Sequence, residues 1–490
     1  MSTPAPNVVF NLVDKTISVP DIISGIAFVQ GITERGPVHD PSKLIFSWPQ
    51  FLQIFGGYIP ESDFPLHCKL MLDRGIVLRV NSVKKNPVHA TAEIENTTDD
   101  TLFTLKSKFP GLSYNKLEAI TTAATDSELG DFNLTIVYND GEYEEFYENL
   151  VTDESVLITA LGKSRWVELD SMDAYVDGVD PDLMPELETV EFEDGADGAA
   201  VEDVDFNDFS AFDPYEDSYF LAAPGWDGDL PAHCTAGEAY AAMRKDLRFY
   251  ASVEVDDLYT EMVTDRLALP YSRWISYSSG GWRIIDPITE TPKEISELSH
   301  FVANGVNNVR FQNPWFSFSG PENSVPNVLG PVINYGTKAK FTELDTLNRN
   351  HINMAVTKSG INMFWGNFSA IRENSHMKFI STNNLIIYMN KVFGPILESF
   401  IEQPLDIPLF KTIFNTLKPY LDRLVSPGRA IFSYNYQGDQ EAESLETLKI
   451  NDPDDIQDGK YKIRISIVRI NPLQEVELTI SLTRSGVTID

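Results

Sequence analysis

The spacing of apolar residues predicts the elements of the N-terminal part of the chain. An apolar run at 22–29 predicts a buried strand, and Gly36-Pro37 marks a turn after it. Phe51, Ile54 and Phe55 have helical spacing and precede Gly56-Gly57, so a helix is expected from Ser47. A second helix over 64–73 and a buried strand at 76–80 complete a strand, helix, helix, strand unit.

The middle of the chain shows two further patterns. Short alternating strands are predicted at 102–106, 132–137 and 142–146, with Asn139-Asp140-Gly141 as a hairpin turn, and they indicate an inserted β-sandwich. Between 218 and 365 strands and helices alternate, beginning with a strand at 219–223, a helix at 236–246 and a strand from Val253. This alternation favours a parallel α/β layer.

The C-terminal quarter has the clearest helical periodicity. Apolar residues from Leu385 to Phe400 occupy one helix face, and Asp406 can cap a second helix whose apolar residues alternate at three and four positions. Core packing is the simplest interpretation of both faces. The chain then alternates as strands at Tyr461–Ile467 and after Pro472, at Val476, Leu478, Ile480 and Leu482. Near the other end, Val8, Phe10 and Leu12 share one face of an arm.

Charge narrows the classes of partner. The 490 residues suffice for about three domains, and 73 acidic against 38 basic residues give a formal charge of −35. Such a chain repels phosphate backbones, so no nucleic-acid partner is expected. Residues 168–217 hold 19 acidic residues and neither Lys nor Arg. Asp203, Asp205 and Asn207 begin like a calcium loop, but Asp208 replaces its glycine, so the segment is predicted to be a solvated acidic loop.

Candidate chemistry is sparse. The sequence contains no phosphate-binding, dinucleotide, zinc-protease or nucleophile-elbow motif, so we expect no enzyme, cofactor or metal site. His67-Cys68 and His233-Cys234 are weak zinc candidates, and both cysteines are better explained as small buried hydrophobes. No apolar stretch is long enough to cross a bilayer, and Met1 to Phe10 lacks the features of a signal peptide, so cytosolic synthesis is expected.

Three blocks of sequence resemble the contractile tail sheath proteins of bacteriophages and phage-like injection systems, and they occur in the order found in that family. The first runs from Val19-Pro20-Asp21 through Glu34-Arg35-Gly36-Pro37 to Ser47-Trp48-Pro49-Gln50-Phe51 and Phe55-Gly56-Gly57. The second comprises 102–106, Phe109-Pro110-Gly111 with Asn115, and Glu145-Phe146 with Glu148-Asn149-Leu150. The third comprises Leu344, Asn348, Asn350, Asn353, Phe364-Trp365-Gly366 and the stretch from Leu385 onward. The segment from Asn313 onward does not clearly carry the family's corresponding motif.

The resemblance implies a multidomain α/β fold. Its parts would be a mixed-sheet α/β core domain with exchanged terminal strands, an inserted β-sandwich domain and a subtilisin-like α/β domain. The expected divisions are an N-terminal arm (1–20), the first part of the core (21–86), the β-sandwich (87–166), the acidic loop (167–217), the subtilisin-like domain (218–368), the C-terminal sheath domain (369–472) and a C-terminal arm strand (473–490).

The resemblance also implies a function in self-assembly. Copies would form hexameric rings stacked helically around an inner tail tube protein, with a baseplate and a tail terminator as further partners and no insertion into a membrane. The particle would be a virion tail assembled in the host cytoplasm, or a contractile injection particle. Strand exchange would use Val8, Phe10, Leu12, Val476, Leu478, Ile480 and Leu482. Lys411, Lys418 and Arg423 are candidate tube-facing residues, although ordinary solvated charges explain them equally well.

Three other functions are compatible with these patterns. A baseplate or tail-terminator protein would share the same machinery. A hydrolase would use the α/β domain and needs a nucleophile and a base that the spacing does not reveal. A β-rich adhesin is disfavoured because the sequence shows no secretion signal.

Overall fold

The computed structural model describes residues 25–126, 128–172, 184–226, 228–253, 258–287, 289–373, 375–425 and 429–472. They divide into two compact units. The larger unit contains residues 25–312 and 318–373, and the smaller unit contains residues 313–317 and 375–472.

The larger unit begins with the predicted strand, helix, helix, strand order. Ser47 caps the first helix by accepting a hydrogen bond from the Gln50 amide at 3.4 Å. Gly56 ends it with a positive φ of 82°, which glycine adopts without strain. The elements are β1 (Ile26–Gly31), β2 (Leu44–Ile45), α1 (Trp48–Phe55), α2 (Phe64–Leu72) and β3 (Val77–Ser82).

An inserted β-sandwich follows, as the alternating pattern predicts. The elements are β4 (Thr91–Glu95), β5 (Thr101–Ser107), β6 (Leu117–Ala123), β7 (Phe132–Tyr138), β8 (Tyr143–Leu150), α3 (Glu154–Leu161), β9 (Val167–Met172) and β10 (Thr189–Glu191). The strands form two sheets, in the orders β4-β5-β9 and β10-β6-β7-β8, and Phe103, Leu134 and Trp166 are buried in the core of the sandwich.

The prediction that residues 167–217 form a solvated loop is wrong for the described part of that segment. β9 pairs with β5, and β10 pairs with β6, so the sandwich continues past residue 166. Beyond it, Phe206, Phe209 and Phe212 are buried, and the Phe212 ring stacks on Phe28 of β1 at 4.9 Å between centroids. The acidic residues around them, among them Asp205, Asp208 and Asp213, mask these apolar positions in the sequence.

The chain then alternates between strands and helices as expected. The strand predicted at Val253-Glu254-Val255 lies mostly outside the described residues, and the observed strand covers Arg248–Ser252. The elements are α4 (Asp203–Phe206), β11 (Phe220–Ala222), α5 (Leu230–Arg244), β12 (Arg248–Ser252), α6 (Tyr259–Ala268), β13 (Ile275–Ser279), β14 (Trp282–Ile285), β15 (Pro292–Ile295), α7 (Leu298–Phe311), β16 (Gly330–Pro331), α8 (Phe341–Arg349), β17 (Ile352–Lys358) and β18 (Ile361–Trp365).

Eight of these strands form one sheet in the order β18-β17-β13-β12-β11-β1-β3-β2. The six inner strands are parallel, and both edge strands are antiparallel to their neighbours. The resemblance implies different domains for segments 21–86 and 218–368, but β1 of the first segment pairs with β11 of the second. The predicted boundary between those segments therefore does not divide the sheet.

Helices cover both faces of this sheet, which explains its continuous apolar strands. On one face Gly237 of α5 lies so close to Phe249 that a Cβ at that glycine would collide with the ring. On the other face Tyr250 packs against Phe301 of α7 with ring centroids 5.8 Å apart. Phe249 and Tyr250 are both fully buried.

The smaller unit contains the two helices predicted from periodicity. The Asp406 carboxylate accepts a hydrogen bond from the Leu409 amide at 2.9 Å, as its capping position indicates. Ile413, Leu417 and Leu421 of the second helix are buried. The elements are α9 (Ile380–Glu398), α10 (Ile407–Val425), β19 (Ile431–Gln437), α11 (Pro453–Gln457) and β20 (Arg464–Arg469).

Candidate assembly surfaces

The smaller unit carries a two-stranded antiparallel sheet whose outer edges lack a partner strand among the described residues. β19 pairs with β20 from Ile431 opposite Arg469 to Gln437 opposite Arg464. Tyr436 of β19 and Ile465 of β20 face the apolar cluster formed with α9 and α10. Each outer edge presents main-chain N–H and C=O groups that can pair with a further strand.

The loop between these strands is fixed by one carboxylate. Asp439 accepts hydrogen bonds from the amides of Lys449, Ile450 and Asn451 at 2.7, 3.1 and 3.0 Å. Burial raises the pKa of this carboxyl, but the hydrogen bonds from Asn451, Lys449 and Ile450 outweigh it and hold the pKa below its ordinary value. The connection between β19 and β20 is therefore an ordered structure.

A buried arginine attaches residues 313–317 to β20. The Arg469 guanidinium donates to the Trp315 carbonyl at 2.6 Å and also to the Ala430 carbonyl. Burial lowers the pKa of Arg469 to about 10. Sequence reasoning missed this residue, although Arg469 continues the alternation Tyr461, Ile463, Ile465, Ile467 on the apolar face of the strand. A basic residue at an apolar-face position was the available signal.

The three candidate tube-facing residues all lie exposed on α10. Lys411 and Lys418 are seven residues apart and share one face, whereas Arg423 is rotated from Lys418 by about 140° around the helix axis. The Lys418 ammonium lies 2.6 Å from the Asp422 carboxylate, which also accepts a hydrogen bond from the Tyr434 hydroxyl at 2.7 Å. The structure thus places two of these cations on one face and the third apart from them.

The residues predicted to exchange between subunits lie outside the described part of the chain. These are Val8, Phe10, Leu12, Val476, Leu478, Ile480 and Leu482. Their part in assembly stays a prediction.

The candidates for enzyme or metal chemistry are buried side chains with local partners. His67 lies 3.0 Å from the Ser299 hydroxyl, and burial lowers its pKa to about 4, so the imidazole is neutral. Both side chains are almost fully buried, at 2% and 1% exposure, which prevents substrate access. Cys68 and Cys234 are buried free thiols, as predicted.

Within the described residues no group of three or more His, Cys, Asp or Glu side chains could hold a metal ion. Nor does any described helix have the length and hydropathy needed to span a membrane.

Comparison by sequence identifies no relatives: no family model matches the chain, and no curated protein matches it. Comparison of structures does identify proteins with a similar fold. The sheath tail protein of Listeria innocua is 11% identical, with a TM-score of 0.61 over 91% of this chain and 95% of that one. A chain of the anti-feeding prophage helical sheath in its contracted state is 13% identical, with a TM-score of 0.58 over 98% of this chain and 99% of that one. A chain of the anti-feeding prophage baseplate is 13% identical, with a TM-score of 0.55 over 99% of this chain and 100% of that one.

These solved chains are matched over almost their whole lengths, including the inserted sandwich and the helical smaller unit. Their low identity explains why sequence comparison alone finds nothing. The chain has the fold of the sheath tail proteins of phage-like contractile systems.

Proposed function

We propose that this chain is the structural, non-catalytic subunit of a contractile tail sheath. The observation that carries the proposal is the match to sheath chains over more than nine-tenths of both partners. In that function many copies form hexameric rings that stack helically around an inner tube protein, between a baseplate and a tail terminator. The assembled particle is a virion tail or an injection particle.

The β19–β20 sheet supports a specific mode of linkage. A two-stranded sheet is marginally stable alone, and its open edges fit strands donated by adjacent copies. We assign the donated strands to Val8–Leu12 and Val476–Leu482. Each added main-chain hydrogen bond contributes about 1 kcal/mol, so a strand making four or five of them forms a link of several kcal/mol. Such links persist while the remaining parts of the subunits rotate as rigid bodies during contraction.

Co-expression with a small tube protein encoded beside this chain tests the function. Negative-stain microscopy should show long, hollow, striated polymers of the full chain. Particles that never exceed single rings would instead favour a baseplate position, which the similarity to a baseplate chain makes the second candidate.

Truncation of residues 473–490 tests the strand links. This deletion keeps β20 and the Arg469 contact with Trp315, so the smaller unit should still fold. Soluble monomers in place of polymers are expected. Polymers of normal length from the truncated chain would contradict strand exchange through that segment.

Charge reversal on α10 tests the tube-facing face. Replacing Lys411 and Lys418 with Glu should reduce polymerisation on tubes, because both lie on one exposed face. Arg423→Glu is the internal comparison, since its side chain points elsewhere on the helix. Equal polymerisation of all variants would show that these side chains are solvated and do not contact the tube.

A further inference from the structure

A cleft of about 270 Å³ lies between α1 and the inserted sandwich in the larger unit. Phe109, Tyr114 and Trp166 form its aromatic floor, and the exposed cations Lys43 and Arg165 lie on its rim. Gln50, Gln53 and Ile54 of α1 line one side. The Lys43 ammonium lies 5.9 Å from the centre of the Phe109 ring. The cleft therefore combines an aromatic floor with cations on its rim.

Neither rim cation has an ion-pair partner among the described residues. Basic residues nearby do have such partners. Lys106 lies 2.8 Å from Asp170, and Lys116 lies 3.8 Å from Glu34. One carboxylate is close, since Glu145 accepts a hydrogen bond from the Arg165 amide at 3.1 Å. The side-chain charges of Lys43 and Arg165 are still free to attract an anionic ligand in a chain with almost two acidic residues for every basic one.

A third cation lies behind the aromatic floor. The Arg35 guanidinium is 5.3 Å from the centre of the Trp166 ring and donates to the Tyr138 hydroxyl and the Leu52 carbonyl. It has no carboxylate within ion-pair distance in the described structure, and its buried Nε has no hydrogen-bond partner. Because this charge is 3% exposed, water screens it weakly. Arg35 therefore adds to the positive potential of the cleft.

These features select a ligand with carboxylates on either side of an aromatic or apolar group. The described surface of this chain contains such a group on β8. Glu144, Phe146 and Glu148 alternate on the exposed face of that strand, and Phe146 is 57% exposed. β8 is also an edge strand, since it pairs only with β7 in the order β10-β6-β7-β8.

We propose that the cleft of one copy binds the β8 face of a second copy, with Phe146 over the aromatic floor and the two glutamates beside Lys43 and Arg165. The contact joins two different patches, so it propagates from copy to copy instead of closing a symmetric dimer. It rests on the proposed sheath function, because it operates only where many copies are assembled. It adds a lateral link that uses no terminal segment.

A charge swap tests the contact. The Lys43→Glu/Arg165→Glu variant should need about a tenfold higher protein concentration to polymerise than the wild type does, and so should Glu144→Lys/Glu148→Lys. The variant carrying all four changes should recover wild-type polymerisation, and so should an equimolar mixture of the two double variants. Lys163→Glu/Lys245→Glu is the matched control, because it makes the same change in charge at two other exposed lysines without ion-pair partners in the described structure. Thermal melting of each variant confirms that it folds.

The outcomes separate this contact from the proposed function. If the double variants polymerise like the control, or if the fourfold variant stays as defective as they are, the contact is wrong while the sheath function stands. If the wild type forms no polymer with its tube protein, the sheath function fails instead. The cleft is then tested by fluorescence anisotropy of a labelled peptide of residues 142–150. Binding lost in Lys43→Glu/Arg165→Glu but kept in the control supports the cleft, and no binding overturns it.

Discussion

The eight-stranded sheet of the larger unit and the two-stranded sheet of the smaller unit differ in how their faces and edge strands are covered. The large sheet has helices on both faces and ends in short antiparallel strands at each edge. β19 and β20 have helices on one face, and their edges have no partner strand in the described part of the chain. The edges of the first sheet are closed by short strands of the same molecule, whereas those of the second are open in the described part of the chain and, in the proposed function, receive strands from other copies.

This difference separates folding from assembly. Changes in the large sheet should act on the stability of the isolated chain. Changes in the outer face or edges of the small sheet should act on polymers and leave the isolated chain almost unchanged.

The largest effect is expected from the large sheet. Phe249→Ala removes a fully buried ring of β12 that packs against α5, and it should lower the free energy of unfolding by about 3–5 kcal/mol. Urea denaturation of the isolated chain measures this change. Phe432→Ala in β19 is the control, because that ring is 66% exposed and its loss should shift the midpoint little. Similar shifts for both variants would contradict the comparison.

A smaller and more local effect is expected beneath the small sheet. Leu417→Ala empties a fully buried position of α10 and should destabilise the smaller unit by about 2–4 kcal/mol. Hydrogen exchange followed by mass spectrometry should show faster exchange in β19 and β20, with protection in β12 and β13 unchanged. Equal loss of protection in both units would show that they unfold together.

The loop between β19 and β20 should give a pH-dependent effect. The pKa of Asp439 is lowered in the folded chain, so its stabilisation is present above the ordinary pKa near 3.9 and is lost as pH falls through the folded pKa. Asp439→Asn should reduce stability by about 1–3 kcal/mol at pH 7. Asparagine also tolerates the left-handed backbone at this position, where φ is 55°.

The pH profile distinguishes this carboxylate from others. Hydrogen exchange in residues 438–463 measures the stability of this loop at pH 6 and at pH 3. The loss of stability between the two pH values should be larger in the wild type than in Asp439→Asn. Parallel pH profiles for the two proteins would show that Asp439 does not cause the pH dependence of this loop.

The smallest effect is expected at the surface of α10. Lys418→Ala breaks an exposed pair with Asp422, and the unfolding midpoint should not change measurably. A clear loss of stability would mean that the pair also holds the Tyr434 hydroxyl in place through Asp422.

The sequence predicts elements well where periodicity and caps agree. Ser47 and Gly56 mark both ends of α1, and Asp406 marks the start of α10, because local chemistry alone determines these positions. Pairing between distant segments could not be predicted in this way. Nothing near Phe28 indicates that β1 lies beside β11 or that Phe212 stacks on it, since both contacts join residues about 190 positions apart.

The candidate surfaces show the same limit. The exposed cations of α10 follow from helical spacing, but the ion pair of Lys418 and the separation of Arg423 needed coordinates. The cleft at Lys43 and Arg165 combines residues from the segment before β2, from α1, from the loop after β5 and from the turn before β9. No spacing rule relates such positions, because the fold of the sandwich brings them together.

The path of the chain around β1 has a consequence for natural variation. β3 and β11 are the two neighbours of β1, and the whole sandwich lies between them in sequence. The ladders to β1 fix both strands in register, whatever the length of the excursion that connects them. Lineages can therefore lengthen, shorten or replace this module while the sheet is inherited unchanged, so we expect the fastest divergence among relatives within the sandwich, between residues 91 and 191.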